Sequence, residues 1–199
     1  MLGKPGDHIH LDDGSGGPAD QPEAGLIARV AAGDLAAFET LYRLYHPRLT
    51  RFLDRMTRRP GMVEELLNDT MMVVWRRAGS YNGRSKVSTW VFGIAYRKAL
   101  KALRRLDEAV DHEADEPCAP DDEPERHLGR RQVHALLMRA LQGLSAEHRA
   151  VVDLTYFHGM GYREISQVVD CPVDTVKTRM FHARRRLRLL LGGRLEEWL

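Results

Sequence analysis

A chain of 199 residues with 43% hydrophobic content can bury one or two small cores and is too short for an elaborate multi-domain enzyme. No stretch approaches the roughly 18 consecutive apolar residues of a membrane span, and the N-terminus lacks the pattern of a secretory signal, so a cytoplasmic protein without membrane insertion is expected. Its only cysteines, Cys118 and Cys171, are far apart and outside any zinc-type spacing, which predicts neither a disulfide scaffold nor a metal.

The formal net charge of +2 hides a segregation along the chain. Residues 1–25 carry a net −4, residues 26–106 a net +10, and residues 126–199 a net +6. Between the last two, residues 107–125 hold ten acidic side chains and no Lys or Arg. Two basic domains on an acidic tether are the expectation, and basic domains favour a polyanionic partner. The limits implied are a tail at 1–19, a first domain at 20–106, a flexible linker at 107–126 and a second domain at 127–199.

In chain order, residues 1–19 are rich in Gly, Asp and Pro without apolar period, which predicts a disordered tail. Asp20 with Glu23 around Pro22 reads as one helix start, and Asp34 after Gly33 as another. Phe38, Leu41, Tyr42, Tyr45, Leu49, Phe52, Leu53 and Met56 then recur at helical spacing, with Pro47 predicting a kink or break near His46. A second segment from about Met62 to Arg77 carries an apolar stripe of Val63, Leu66, Leu67, Thr70, Met71 and Val74. Its other face carries Glu65, Asn68, Asp69 and Met72. After the turn-forming SYNGRS comes a third helix, VSTWVFGIAYRKALKALRR. Beyond the acidic linker, helical patterns resume at about His127–Gly143, Ser145–His158, Tyr162–Val169 and Val173–Leu191. Alternating strand patterns are absent, so the fold class is all-α, in two small helical bundles.

The second bundle contains a short helix, GYREISQVV, a tight turn, DCP, and a longer helix, VDTVKTRMFHARRRLRLLL, which is helix-turn-helix spacing. On a wheel, Val173, Val176, Met180, Ala183 and Leu187 fall inward. Asp174, Lys177, Thr178, Phe181, His182 and Arg185 fall outward, where a DNA major groove could receive them. In the first bundle, Arg97, Lys98, Lys101, Arg104 and Arg105 project within an arc of roughly 120°, with Trp90 in the same arc. Basic groups interleaved with an aromatic suit a separated or distorted strand. No phosphate-cradling Gly loop, metal-ligand cluster or nucleophile motif occurs. Neither catalytic residues nor a cofactor is expected, and the protein reads as a non-enzyme.

With these residues in place, three segments resemble the sigma-70 family of bacterial RNA polymerase sigma factors, in its extracytoplasmic-function subfamily. VEELLNDTMMVVWRR is similar to the region that docks on the polymerase clamp. STWVFGIAYRKALKALRR is similar to the region that opens and reads the minus-10 element. LSAEHRAVVDLTYFHGMGYREISQVVDCPVDTVKTRMFHARRRLR is similar to the minus-35-reading region. The resemblance covers about residues 26–106 and 130–191. Asn68 stands where the family usually has Gln, Met71 where an aromatic is common, and Arg97 and Lys101 where Asn and Asp are typical. Asp170 occupies the usual Gly of the helix-turn-helix turn, a left-handed position that Asp tolerates at modest cost.

The resemblance implies a subunit that directs core RNA polymerase to promoters. It implies polymerase contacts at the clamp helices and flap, the clamp being met by Glu65, Asn68, Asp69 and Met72. It implies minus-10 contacts by Asn82, Arg84, Lys86, Trp90, Arg97, Lys98, Lys101, Arg104 and Arg105, with a flipped base captured near the loop Tyr81 to Lys86. It implies minus-35 contacts by Thr175, Lys177, Thr178, Phe181, His182 and Arg185, and restraint by an anti-sigma factor. The alternative reading is a stand-alone helix-turn-helix regulator with residues 26–106 as a dimerisation or sensor domain.

Overall fold

The computed structural model describes residues 21–110 and 138–191, and among them every regular element is helical. The tail predicted at 1–19, most of the acidic linker with Cys118, and the start of the helix predicted from His127 lie outside the described residues.

Helix α1 (Gln21–Ala31) leads through Gly33, whose φ of 86° makes the turn, into α2 (Leu35–Thr57). Asp34 caps α2 as its sequence position predicts: its carboxylate accepts the Ala37 N–H at 3.0 Å and pairs with Arg29 at 2.6 Å. Of the kink or break predicted near His46, the break does not occur. Helix α2 is continuous through Pro47, because Leu41, Tyr45, Leu49, Phe52, Leu53 and Met56 are all buried along its length. That burial outweighs the one backbone hydrogen bond to the Arg43 carbonyl that proline cannot make.

Helix α2 ends at Arg58, which is left-handed (φ 59°). Helix α3 (Pro60–Arg77) then starts with proline in its first turn, where no N–H is needed. All six members of its predicted stripe, Val63, Leu66, Leu67, Thr70, Met71 and Val74, are buried. A 3-10 turn at Ala78–Ser80 precedes α4 (Val87–Val110), which runs four residues past the domain limit expected at Leu106.

In the second half, residues 138–142 are helical, and Ser145 caps α5 (Ala146–Tyr156) by accepting the His148 N–H. Helix α6 (Tyr162–Val169) starts where Glu164 accepts the Gly161 N–H at 2.9 Å. It stops at Asp170, left-handed with φ 52°, before α7 (Val173–Leu191).

The two halves pack together. One apolar cluster runs from Leu41, Phe52 and Met71 through Phe92 and Ala95 to Leu154, Ile165 and Val168. The seam is formed chiefly by α4 against α6 and by α2 against α5. It is closed by polar contacts that cross it. Arg55 pairs with Asp153, Lys86 with Glu164 at 3.0 Å, and Arg58 donates to the Gln142 carbonyl at 3.0 Å. Arg149 donates to the Leu144 carbonyl at 3.1 Å and across the seam to the Met56 carbonyl at 2.8 Å.

Candidate nucleic-acid and polymerase interfaces

Helix α7 divides as its wheel predicts. Val176, Met180 and Ala183 are buried, and Val173 and Leu187 are half-buried. Asp174, Lys177, Thr178, Phe181, His182 and Arg185 are exposed, while Thr175 is half-buried. Phe181 is 64% exposed, a large aromatic held in solvent opposite the apolar stripe. The face is locally ordered: Lys177 pairs with Asp174 at 3.0 Å, Thr178 donates to the Asp174 carbonyl at 2.9 Å, and the Phe181 ring meets His182 edge to face at 5.5 Å. His148 of α5 lies 6.4 Å from His182. Burial first, then the Arg179 cation, holds the His148 imidazole below its ordinary value, so at neutral pH this end of the face carries a neutral ring.

Helix α4 presents Arg97, Lys101, Arg104 and Arg105 to solvent. Lys98 is half-exposed and bonded to Asp69 of α3 at 2.8 Å. Trp90 is neither plain core nor free: it is half-buried, packed against the core and 5.5 Å from the Tyr81 ring. In the preceding loop, Asn82 and Arg84 are exposed, and the Asn82 carboxamide oxygen accepts the Arg84 N–H at 3.1 Å across Gly83, whose φ is 71°. Lys86, grouped with them by sequence, reaches Glu164 on the first helix of the helix-turn-helix.

On α3, Glu65, Asn68, Asp69 and Met72 are all exposed, Met72 at 48%. Tyr42 of α2 donates to the Asn68 side-chain oxygen at 3.0 Å. Asp69 and Lys98, which the sequence assigns to different partners, are thus bonded to each other, and they tie the acidic face of α3 to the basic stripe of α4.

Comparison with known proteins bears on the same two halves. Residues 41–108 match the sigma-70 region 2 family and residues 134–187 match sigma-70 region 4. The chain is 33% identical over 182 residues to the ECF RNA polymerase sigma factor SigM of Mycobacterium tuberculosis, covering 90% of this chain and 89% of that protein. The chain belongs to the ECF sigma factors of the sigma-70 family. A second relative of this sigma factor, the RNA polymerase sigma-H factor of Pseudomonas aeruginosa, is 28% identical over 86% of this chain and 95% of its own. Among solved structures, the sigma factor RpoE in complex with the anti-sigma factor NepR from Bartonella quintana aligns with a TM-score of 0.66 at 25% identity, covering 79% of this chain and 98% of that one. CnrH, solved in complex with the cytosolic domain of CnrY, shares the fold with a TM-score of 0.63 at 23% identity, over 86% and 97% of the two chains. This sigma factor therefore directs promoter-specific transcription, and the stand-alone regulator is not favoured. Among its described residues no helix is long and apolar enough to cross a membrane.

What the sequence reading missed lies at the seam. Phe92 and Tyr96 are buried, Phe92 against His158 of the second half, and Arg55, Asp153 and His158 meet there. The available signal was an aromatic pair, Phe92 and Tyr96, four residues apart on α4 and apart from the basic arc.

Proposed function

We propose that this sigma factor reads the minus-35 duplex with α7 and traps the melted minus-10 element with α4 and the loop before it. Support for the first part is the solvent-facing set Lys177, Thr178, Phe181, His182 and Arg185, with Thr175 at its edge, on the second helix of a helix-turn-helix. These side chains can donate to, accept from and pack against base edges. Support for the second is the exposed run Arg97, Lys101, Arg104 and Arg105 beyond Trp90, with Asn82 and Arg84 at its near end. The cations neutralise phosphates, and the aromatic stacks on or wedges against an unpaired base. Lys86 and Lys98 join this surface by exchanging Glu164 and Asp69 for phosphate.

Core polymerase is met through Glu65, Asn68, Asp69 and Met72 at the clamp helices, and through the second domain at the flap. A cytoplasmic site of action and the absence of catalysis follow from this role. Because a structural relative was solved with an anti-sigma factor, a protein of that kind is the regulatory partner.

The observation that carries the reading is the coincidence of two exposed, chemically distinct faces with the two sigma-70 region matches, in family order. Open-complex formation by reconstituted holoenzyme tests it. Lys177→Ala lowers affinity for the preferred minus-35 sequence more than for mismatched ones, by about 1 to 3 kcal/mol. Trp90→Ala impairs opening of duplex promoters far more than use of templates already unpaired at minus-10. Equal defects of folded Trp90→Ala on both templates remove Trp90 from the melting face.

A further inference from the structure

Helix α2 carries an ordered set of side chains that neither promoter reading nor polymerase docking uses. Arg48, Arg51 and Arg55 follow one another at spacings of three and four, so they share one face of the helix. With Phe157 and His158 from the turn after α5, they line a cavity of about 210 Å3 at the seam between the two domains.

The charges there do not cancel. Arg55 is paired with Asp153, and its guanidinium lies 4.1 Å from the centre of the Phe157 ring. Arg48 lies over the Tyr45 and Phe92 rings and reaches a Glu23 oxygen only at 3.8 Å. Arg51 bonds to the neutral Pro47 carbonyl at 2.9 Å and has no ion pair among the described residues.

His158 forms the far wall of the cavity. Its side chain is 6% exposed, and its ring is wedged beside Phe92 at 4.4 Å and Phe52 at 6.1 Å. Nε2 lies 3.1 Å from Asp153 Oδ2, yet the two are not aligned for a hydrogen bond, and both atoms are buried without one. Nε2 is thus sealed against the Asp153 carboxylate, and the ring shapes the wall of the cavity rather than donating into it.

We propose that this cavity binds a phosphate group, held by Arg48 and Arg51 from the first domain against a wall that Phe157 and His158 supply from the second. Two guanidinium forks offer several diverging donors and two positive centres, which suits a multiply charged, tetrahedral oxyanion better than a monocarboxylate. Inorganic phosphate and a phosphate monoester share this chemistry. With an ester, the organic group leaves over Phe157, which is 42% exposed. Because the ligand touches both domains in their packed arrangement, it stabilises that arrangement by linkage.

The test is calorimetric titration of the full chain, with thermal melting alongside, at constant ionic strength set by chloride. One arm uses inorganic phosphate and the other adenosine 5′-monophosphate. The expected result is saturable binding and a rise in Tm in at least one arm, and the tighter arm identifies the source. Arg51→Ala removes an exposed side chain from a folded helix and should weaken binding at least about tenfold. Arg43→Ala removes the same charge from α2 away from the cavity and should bind as the parent does. Absence of saturable binding in both arms, or equal weakening by Arg51→Ala and Arg43→Ala, overturns the proposal.

Discussion

Asp34 ties the start of α2 to the end of α1 with one carboxylate. It accepts the Ala37 N–H and has Arg29 as counter-ion. The Ala37 hydrogen bond first, and the Arg29 hydrogen bond next, hold its carboxyl below the ordinary value of 3.8. A folded-state pKa below the unfolded one means that the cap stabilises fully above the ordinary value and loses its effect as pH falls through the folded one. Asp34→Ala should therefore melt at a lower temperature than the parent at pH 7, and the gap should close as melts are repeated into the acid range below pH 3.8. A gap that persists there would mean that Asp34 acts through packing rather than charge. This cap was legible in the sequence, because a carboxylate after Gly33 and ahead of an apolar period marks a helix start. Asp170 was legible for a related reason: the helix-turn-helix turn demands a left-handed residue, and Asp supplies one with φ 52°. Arg58 was not legible, because no local pattern marks an arginine for φ 59°.

At the scale of elements, period alone located α3, α6 and α7, since each buries one continuous stripe and exposes the rest. Pro47 does not end its helix, because burial on either side of it outweighs the local rule. The sequence of α4 shows a basic arc and a small-residue face, yet the helix also meets α6 at Gly93, which belongs to neither. Gly93 faces α6 so closely that a Cβ placed there would lie 3.7 Å from the Val168 carbonyl and 3.3 Å from the end of the Arg97 side chain. The first is an ordinary contact, and the second is with a flexible terminus that can move. Alanine is better than glycine inside a helix by roughly 1 kcal/mol. Gly93→Ala should thus raise stability by up to about that amount, measured by chemical denaturation at equal m-value. A loss instead would show that the seam has no room for one methyl group. The three assigned faces of α3, α4 and α7 were readable because exposure follows from helical phase, whereas the link between Asp69 and Lys98 joins residues 29 apart and has no local signature.

The whole molecule is where the sequence is silent. Charge segregation marks two basic halves, and like charge argues against their association. The structure nevertheless joins them, since the repulsion is local and the seam sets Asp153 and Glu164 of the second half against Arg55 and Lys86 of the first. Arg149 is central to this closure. It is 9% exposed, and burial first, then the neighbouring Arg58 cation, pushes its pKa down to about 10. It is still charged at neutral pH, and two carbonyls, from Leu144 and Met56, receive its N–H groups. A charged donor of this kind contributes roughly 1.5 to 3 kcal/mol per hydrogen bond, and only the Met56 bond crosses the seam. Arg149→Ala should therefore loosen the packing of the halves more than it unfolds either one. Small-angle scattering should report a larger radius of gyration, while helical content by circular dichroism stays near that of the parent. Release of the halves also frees Lys86 from Glu164, so the variant should bind pre-melted minus-10 DNA more tightly than the parent. If the variant expands without gaining affinity, domain packing does not restrict the α4 surface. If it keeps the parent's dimensions, Arg55, Lys86 and the apolar seam hold the halves together without Arg149.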